Sequence, residues 1–427
     1  MGVVHKDKLI LSFHIKLFSD ILMKILSKGA MKTMIAKKMV KFVEGSSVTR
    51  AMFEEGKKLA AQYGAENVYD FSLGNPSTPP PAEVAKAMTD IINEVSPNKL
   101  HGYMNNSGYE EVRQAIAQSL NKKFETNFSE KNIIMTVGAA GGLNVVLKTL
   151  IDPGDEVIAF APYFSEYNNY VSNFDGKMVV ISPHIPDFQP NLDEFAGKIT
   201  SKTKAVIVNN PNNPTGVVYS EETIKKLAAI LEDKQREFNT QIYLIADEPY
   251  RELAYDGVFV PYLTKYYANT IVGYSYSKSL SLPGERIGYL VIPDEVDDFE
   301  NVICAANVAN RILGFVNAPS IMQLTVAKCL DASTDVSIYD TNRKLLYNKL
   351  TSLGFECVKP EGAFYLWVKT LEEDDKAFVD KAKKHNLLLV PGSAFMCPGY
   401  VRIAYCVDKA MIERSFAAFE KLAEEYR

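Results

Sequence analysis

Between residues 131 and 292 the chain alternates short β-rich apolar runs with helical stretches, and nothing else in it restricts the fold as strongly. The runs are Ile133–Val137, Glu156–Phe160, Lys177–Ile181, Lys204–Asn209, Gln241–Ala246, Thr270–Tyr274 and Ile287–Ile292. Most are nearly continuous apolar strings, as expected of strands covered on both faces. The pattern therefore predicts an α/β layer on a mostly parallel sheet of seven strands. Past residue 320 it changes to a helix, a β-rich run near Ala363–Val368, a helix near Ala377–His385, a short strand near Tyr400–Cys406 and a last helix from Lys409. That order suits a smaller α+β domain. The Pro/Gly-rich stretch Ser72–Pro81 fits neither helix nor central strand and is expected to cross between the two. The expected division is a large domain at 81–325, a small domain of 34–80 with 326–427, and an extension at 1–33.

Charge separates that extension from the rest. Lys+Arg 47 against Asp+Glu 52 gives a net −5, which argues against a generally basic nucleic-acid binder. Residues 1–33 carry six lysines and two aspartates, a balance of +4, which leaves −9 for residues 34–427. Leu11, Ile15, Phe18, Leu22 and Ile25 fall at helical spacing opposite lysines, a pattern suited to a membrane-surface or targeting helix. Lys16, Asp20 and Lys24 interrupt the apolar residues, so a membrane span is not expected. The plainer alternative is a start at Met31 or Met34, with the upstream stretch a dispensable tail. The five cysteines (Cys304, Cys329, Cys357, Cys397, Cys406) form no CxxC pair, and the five histidines show no metal-ligand spacing. A disulfide scaffold and metal chemistry are both disfavoured, and a reducing, cytoplasmic compartment is the simplest expectation.

Chemistry concentrates where the runs end. Lys278 follows a strand, three residues after Ser275 and eight before Arg286. In an open α/β sheet ligands bind in the crevice outside the strand C-termini. A lysine there can form a Schiff base, and serine with arginine can hold a phosphate. Taken alone, Lys278 is more simply a solvated surface lysine. Asp247 ends another apolar run, and a buried carboxylate should face a cation such as a protonated pyridine nitrogen. Asn209–Gly216 (NNPNNPTG) makes a rigid loop with side-chain amides to spare, and Thr136–Leu143 passes through small residues into a helix whose N–H groups can hold an anion.

The motifs Asn213-Pro214-Thr215-Gly216, Asp247-Glu248-Pro249-Tyr250 and Ser275-x-Ser277-Lys278 with Arg286 together resemble the class I and II aminotransferases. These are fold-type I pyridoxal-phosphate enzymes, and the resemblance covers about residues 45–425. It implies that Lys278 carries the cofactor as a Schiff base, that Asp247 pairs with the pyridine nitrogen, and that Tyr250 and Asn213 bond the ring hydroxyl. Phe164 corresponds to the aromatic stacked on the ring, and Ser275, Arg286 and the backbone of Ala139 and Ala140 to the phosphate cup. Tyr103 corresponds to a tyrosine that reaches the neighbouring subunit's phosphate, which implies a homodimer. Arg402, helped by the Gly74 backbone, corresponds to the clamp on the substrate α-carboxylate. Two positions depart from the usual pattern. Glu285 stands where an aromatic is common, and Ala139-Ala140 where a hydroxyl or lysine is frequent, so the roles of Glu285 and of Gly141-Gly142 stay open.

The activity implied is exchange of an amino group between an L-amino acid and a 2-oxo acid, with aspartate or a broad range of donors. Arg311 lies in the region where aspartate aminotransferases place a second arginine; an ordinary helix-surface arginine is the alternative. A C–S lyase of the same fold would share Lys278, Asp247 and Arg402. A pyridoxal-phosphate-sensing transcription regulator would need more than 33 residues for a typical winged-helix domain.

Overall fold

The structure is a computed structural model that describes residues 34–44 and 48–427. The basic segment 1–33, with its amphipathic pattern, lies outside the described residues. The chain divides into two compact units, Met1–Ser46 and Ser47–Arg427. Of the first, the described part is the helix Lys37–Glu44 with the three residues before it. Everything below concerns the second.

Thirteen strands are found among the described residues: β1 (Tyr69–Asp70), β2 (Ile133–Thr136), β3 (Glu156–Phe160), β4 (Lys177–Ile181), β5 (Thr203–Asn209), β6 (Tyr243–Asp247), β7 (Thr270–Ser275), β8 (Gly288–Val291), β9 (Cys357–Val358), β10 (Tyr365–Lys369), β11 (Leu387–Leu388), β12 (Val390–Pro391) and β13 (Tyr400–Ala404). The seven apolar runs are the seven strands of the main sheet, in the order β2-β8-β7-β6-β5-β3-β4. Every pairing is parallel except the two made by β8, which runs against both neighbours. The C-terminal ends of the other six strands and the start of β8 therefore share one rim.

The sheet is covered on both faces, which explains its continuous apolar runs. Ile133, Met135, Leu244, Ala246, Val272, Tyr274, Tyr289 and Val291 join one core cluster, and Ile134, Tyr243, Ile245, Ile271 and Leu290 the other. The period-2 alternation of side chains along a strand thus assigns each residue to a layer.

A second, antiparallel sheet, β12-β13-β10-β9, and the parallel pair β1-β11 lie among residues 69–404. Their core joins Phe71 and Met52 to Tyr339, Leu346, Phe378 and Phe419. The Pro/Gly-rich stretch after Phe71 has no regular structure until the helix Ala82–Glu94. It is held by Thr78, whose hydroxyl lies 3.0 Å from Ser281 Oγ and 2.7 Å from the Tyr339 hydroxyl.

Candidate active site

Strand endings assemble the site. β5 ends at Asn209, β6 at Asp247 and β7 at Ser275, in adjacent positions along the rim. Asp247 is buried, at 5% exposure. Its Oδ2 accepts from the Tyr167 hydroxyl and from Asn209 Nδ2 at 3.4 Å, while Oδ1 has no partner among the described residues. Burial pushes this carboxyl up to about 7, against the Tyr167 hydrogen bond that lowers it. A carboxylate held in this way, with one oxygen free, is suited to a protonated ring nitrogen, whose charge would restore its ionisation.

The chain leaves β7 through the short helix Tyr276–Ser279, capped by Ser275, whose Oγ accepts from the Ser277 N–H at 3.1 Å. Lys278 Nζ donates to the carbonyl of Gly74 at 2.6 Å and lies 5.2 Å from the centre of the Phe364 ring. Desolvation lowers the amine to about 8, helped by the positive fields of Arg402 and Arg286 and opposed by the buried Cys406. Gly74 is required by close approach, since a Cβ there would lie 1.9 Å from the Tyr365 hydroxyl.

The chain re-enters the sheet at β8 just after Arg286. This exposed guanidinium donates to Pro283 O at 3.0 Å, Val137 O at 3.3 Å and Ser277 Oγ at 3.4 Å. It thereby sits at the start of the helix Gly138–Leu150, where Ala139 and Ala140 are half-buried. Gly138 has φ 76° and a Cβ there would meet Arg286 Nη2 at 2.6 Å, so only glycine lets the helix begin this close to the cation. Free helix N–H groups, Ser275, Ser277 and Arg286 make a donor set for a phosphate. Ser277 entered the sequence motif without a role of its own, although it is the serine whose Oγ meets both Ser275 Oγ, at 2.7 Å, and Arg286.

Arg402 on β13 pairs across the small sheet with Trp367 and Val390. Its guanidinium is buried, 4.5 Å from the Tyr365 ring centre and 4.9 Å from that of Phe395. Nη1 donates to Asn213 Oδ1 at 3.0 Å and Nη2 to Ser72 O at 2.6 Å, while Nε has no partner among the described residues. Tyr250 is buried with its hydroxyl 2.9 Å from that of Tyr365. Phe164 stands edge-on to Tyr167, ring centres 5.7 Å apart. These contacts bring Lys278, Gly74, Arg402, Asn213, Tyr250 and Tyr365 into one cleft, with Asp247 at the adjoining strand end and Tyr167 reaching it from the helix Glu166–Asn173.

Two candidates stand apart. Tyr103 is 95% exposed, beside a surface depression lined by Phe315 and Asn317. Arg311 is exposed in the last turn of the helix Phe299–Ile312. Neither makes a hydrogen bond or ion pair with the cleft residues among the described residues. Glu285 is exposed beside Arg286, and a Cβ on Gly141 or Gly142 would press on Val137 or Leu290, so that pair gives the helix close packing on the sheet. Asn209 was legible in the sequence only as the first residue of the asparagine-proline loop, without its contact to Asp247, and Tyr167 carries no sequence signal at all.

A model of the family described as aminotransferase class I and II matches residues 66–419. Thermotoga maritima aspartate aminotransferase is 30% identical over 382 residues, covering 88% of this chain and 96% of that protein. An amino transferase from Eubacterium rectale has 48% sequence identity and a TM-score of 0.90, covering 92% of this chain and all of that one. Thermus thermophilus aspartate aminotransferase, solved with maleate, has 26% identity and a TM-score of 0.80 over 92% of this chain. Matched along most of its length by family, relative and fold, the chain belongs to the class I and II aminotransferases, enzymes of the pyridoxal-phosphate fold type I.

Proposed function

We propose that the protein transfers an amino group between an L-amino acid and a 2-oxo acid, with aspartate among its donors, using pyridoxal phosphate. The observation that carries this is the placing of Lys278 and Asp247 at neighbouring strand ends of the main sheet, with Arg402 of the small sheet bonded to Asn213 in the loop after β5. The aspartate assignment rests on the names of the relatives.

Pyridoxal phosphate, when bound, supplies an electron sink for the carbanion formed at the donor Cα. Asp247 and Tyr167 would hold its ring nitrogen, Asn213 and Tyr250 its ring hydroxyl, Phe164 its face, and Ser275, Arg286 and the N–H groups at Ala139 and Ala140 its phosphate. Arg402 takes the donor carboxylate on its unpartnered Nε edge, because its other nitrogens are already fixed by Asn213 and Ser72. With the carboxylate held there and the Gly74 backbone opposite, the donor Cα–H is presented to Lys278. An amine lowered to about 8 is partly unprotonated near neutral pH, so Nζ can take up the Cα proton and give it back. The aromatic walls of Tyr365, Phe364 and Phe395 limit water around that proton.

The organisation that supports this site is a large domain at 81–325 and a small domain of 34–80 with 326–427. The exposure of Tyr103 and Arg311 fits residues offered to a second copy, as in a homodimer with shared sites. Arg311 would then supply the second cation that a dicarboxylic donor needs.

The test is a panel of amino donors, aspartate, alanine and phenylalanine among them, with 2-oxoglutarate and pyruvate as acceptors. Oxo-acid-dependent turnover is expected. Pyruvate and ammonia formed without an added oxo acid would favour the C–S lyase instead. Arg311→Leu decides the second cation: a lower aspartate-to-alanine ratio of kcat/KM supports it, and an unchanged ratio removes it.

A further inference from the structure

Across the main sheet from the cleft lies a second cavity, of about 180 Å³, that the proposed reaction does not use. Asp247 and Ser275 point to the cleft layer; their neighbours Glu248 and Tyr274 fall on the opposite face by strand alternation, and both line this cavity. Its walls carry four tyrosines, Tyr262, Tyr274, Tyr276 and Tyr289. They are braced on one another, Tyr274 stacking on Tyr289 with ring centres 4.8 Å apart and Tyr276 edge-on to Tyr274 at 5.2 Å.

Two polar atoms in this wall are buried without a partner among the described residues, Glu252 Oε2 and the hydroxyl of Tyr262, a residue only 3% exposed. The other oxygen of Glu252 accepts from the Tyr274 hydroxyl at 2.9 Å. A buried polar atom left unpaired costs roughly 1–3 kcal/mol, and more where it carries charge, so both atoms favour a hydrogen-bonding or cationic occupant. The remaining charges cancel. Arg251 is bound to Glu248 through Nε at 2.6 Å and Nη2 at 2.5 Å, and the lining also holds Lys123, whose Nζ donates to Leu330 O at 3.1 Å, and Asp331, of opposite charge. Glu252 thus leaves the lining with one net negative charge, although the Arg251 guanidinium, 5.0 Å from the Tyr262 ring centre, already acts on it through space.

We propose that this cavity is a binding site for a small ammonium-type cation, held by Glu252 Oε2 and the Tyr262 hydroxyl and walled by the tyrosines. The position links it to the cleft. Tyr274 lies 2.8 Å from Ser279 Oγ, and Ser279 directly follows Lys278. A cation that draws on Glu252 loosens its hold on Tyr274, and so acts one residue from the reactive amine. The inference does not depend on which amino acid is the donor.

Methylammonium chloride, titrated into the cofactor-loaded protein by calorimetry and by thermal melting, is the probe, with sodium chloride of equal ionic strength as the control. Saturable binding and a rise in Tm beyond the sodium control are expected for the wild type. Glu252→Gln should weaken binding tenfold or more, and Tyr262→Phe, which keeps the charge, severalfold. Both should retain the absorbance of the Lys278-bound cofactor. No saturable binding to the wild type, or an equal rise in sodium chloride, overturns the site. Unchanged affinity in Glu252→Gln overturns it equally. If that variant does not fold, unchanged affinity in Tyr262→Phe does so.

Discussion

Arg402 Nη1 donates to Oδ1 of Asn213 at 3.0 Å, a contact that ties the small antiparallel sheet to the loop after β5. The guanidinium is therefore oriented before any carboxylate reaches it. Lysine at this position would keep the charge and lose the planar fork. Arg402→Lys is expected to lower kcat/KM for amino donors by about 10²-fold, most of it in KM. Steady-state kinetics on each half-reaction would check this, and a loss below threefold would contradict the clamp assignment.

Asp247 carries a pH signature in the cofactor-free protein. Its carboxyl is raised from 3.8 to about 7 by burial, so the folded state holds the proton to higher pH than the unfolded chain does. Stability contributed by this group therefore falls as pH rises from 3.8 through 7. Asp247→Asn should be more stable than wild type at pH 8, by on the order of 4 kcal/mol, and match it near pH 4. Melting curves of the apo forms measure both; a variant equally displaced at the two pH values would contradict the burial argument.

Lys278 titrates in the opposite sense, its amine brought down to about 8 mainly by desolvation. Reductive trapping of pyridoxal phosphate on the apo protein should rise roughly tenfold per pH unit below 8 and level off above it. A plateau reached only above pH 10 would mean that the amine is solvated. Lys278→Ala should trap nothing at this site and should lose turnover.

Gly74 is a steric prediction. An added methyl would stand 1.9 Å from the Tyr365 hydroxyl, so Gly74→Ala must displace Tyr365 or the segment that accepts from Lys278. Activity should fall at least tenfold while the melting temperature changes by only a few degrees, because the segment has no regular structure to unravel. Activity within twofold of wild type would show that the cleft tolerates the shift.

All seven strands of the main sheet were legible from apolar runs, because strands covered on both faces need apolar residues at nearly every position. β1, β9, β11 and β12 were not, since two residues paired through their backbone leave no periodicity. In the site, Lys278, Asp247 and Arg286 stood out as polar residues beside apolar strands. Tyr167 was hidden because an aromatic on a helix is ordinary core material until its hydroxyl is seen on Asp247. Ser277 was visible in its motif but without a role, since spacing alone does not tell which hydroxyl meets the guanidinium.

The reversal of β8 has a consequence for how such a site could be altered. The chain leaves β7 and enters β8 at the same rim, so Lys278 and Arg286 ride on a single connection between two neighbouring strands. The separation of the two cations is set by the length of one loop and by its anchors at Pro283 and Val137. Lengthening that loop would change the reach between amine and phosphate without disturbing Asp247 or Arg402. The span that the proposed cofactor would bridge is therefore set within about a dozen residues between β7 and β8.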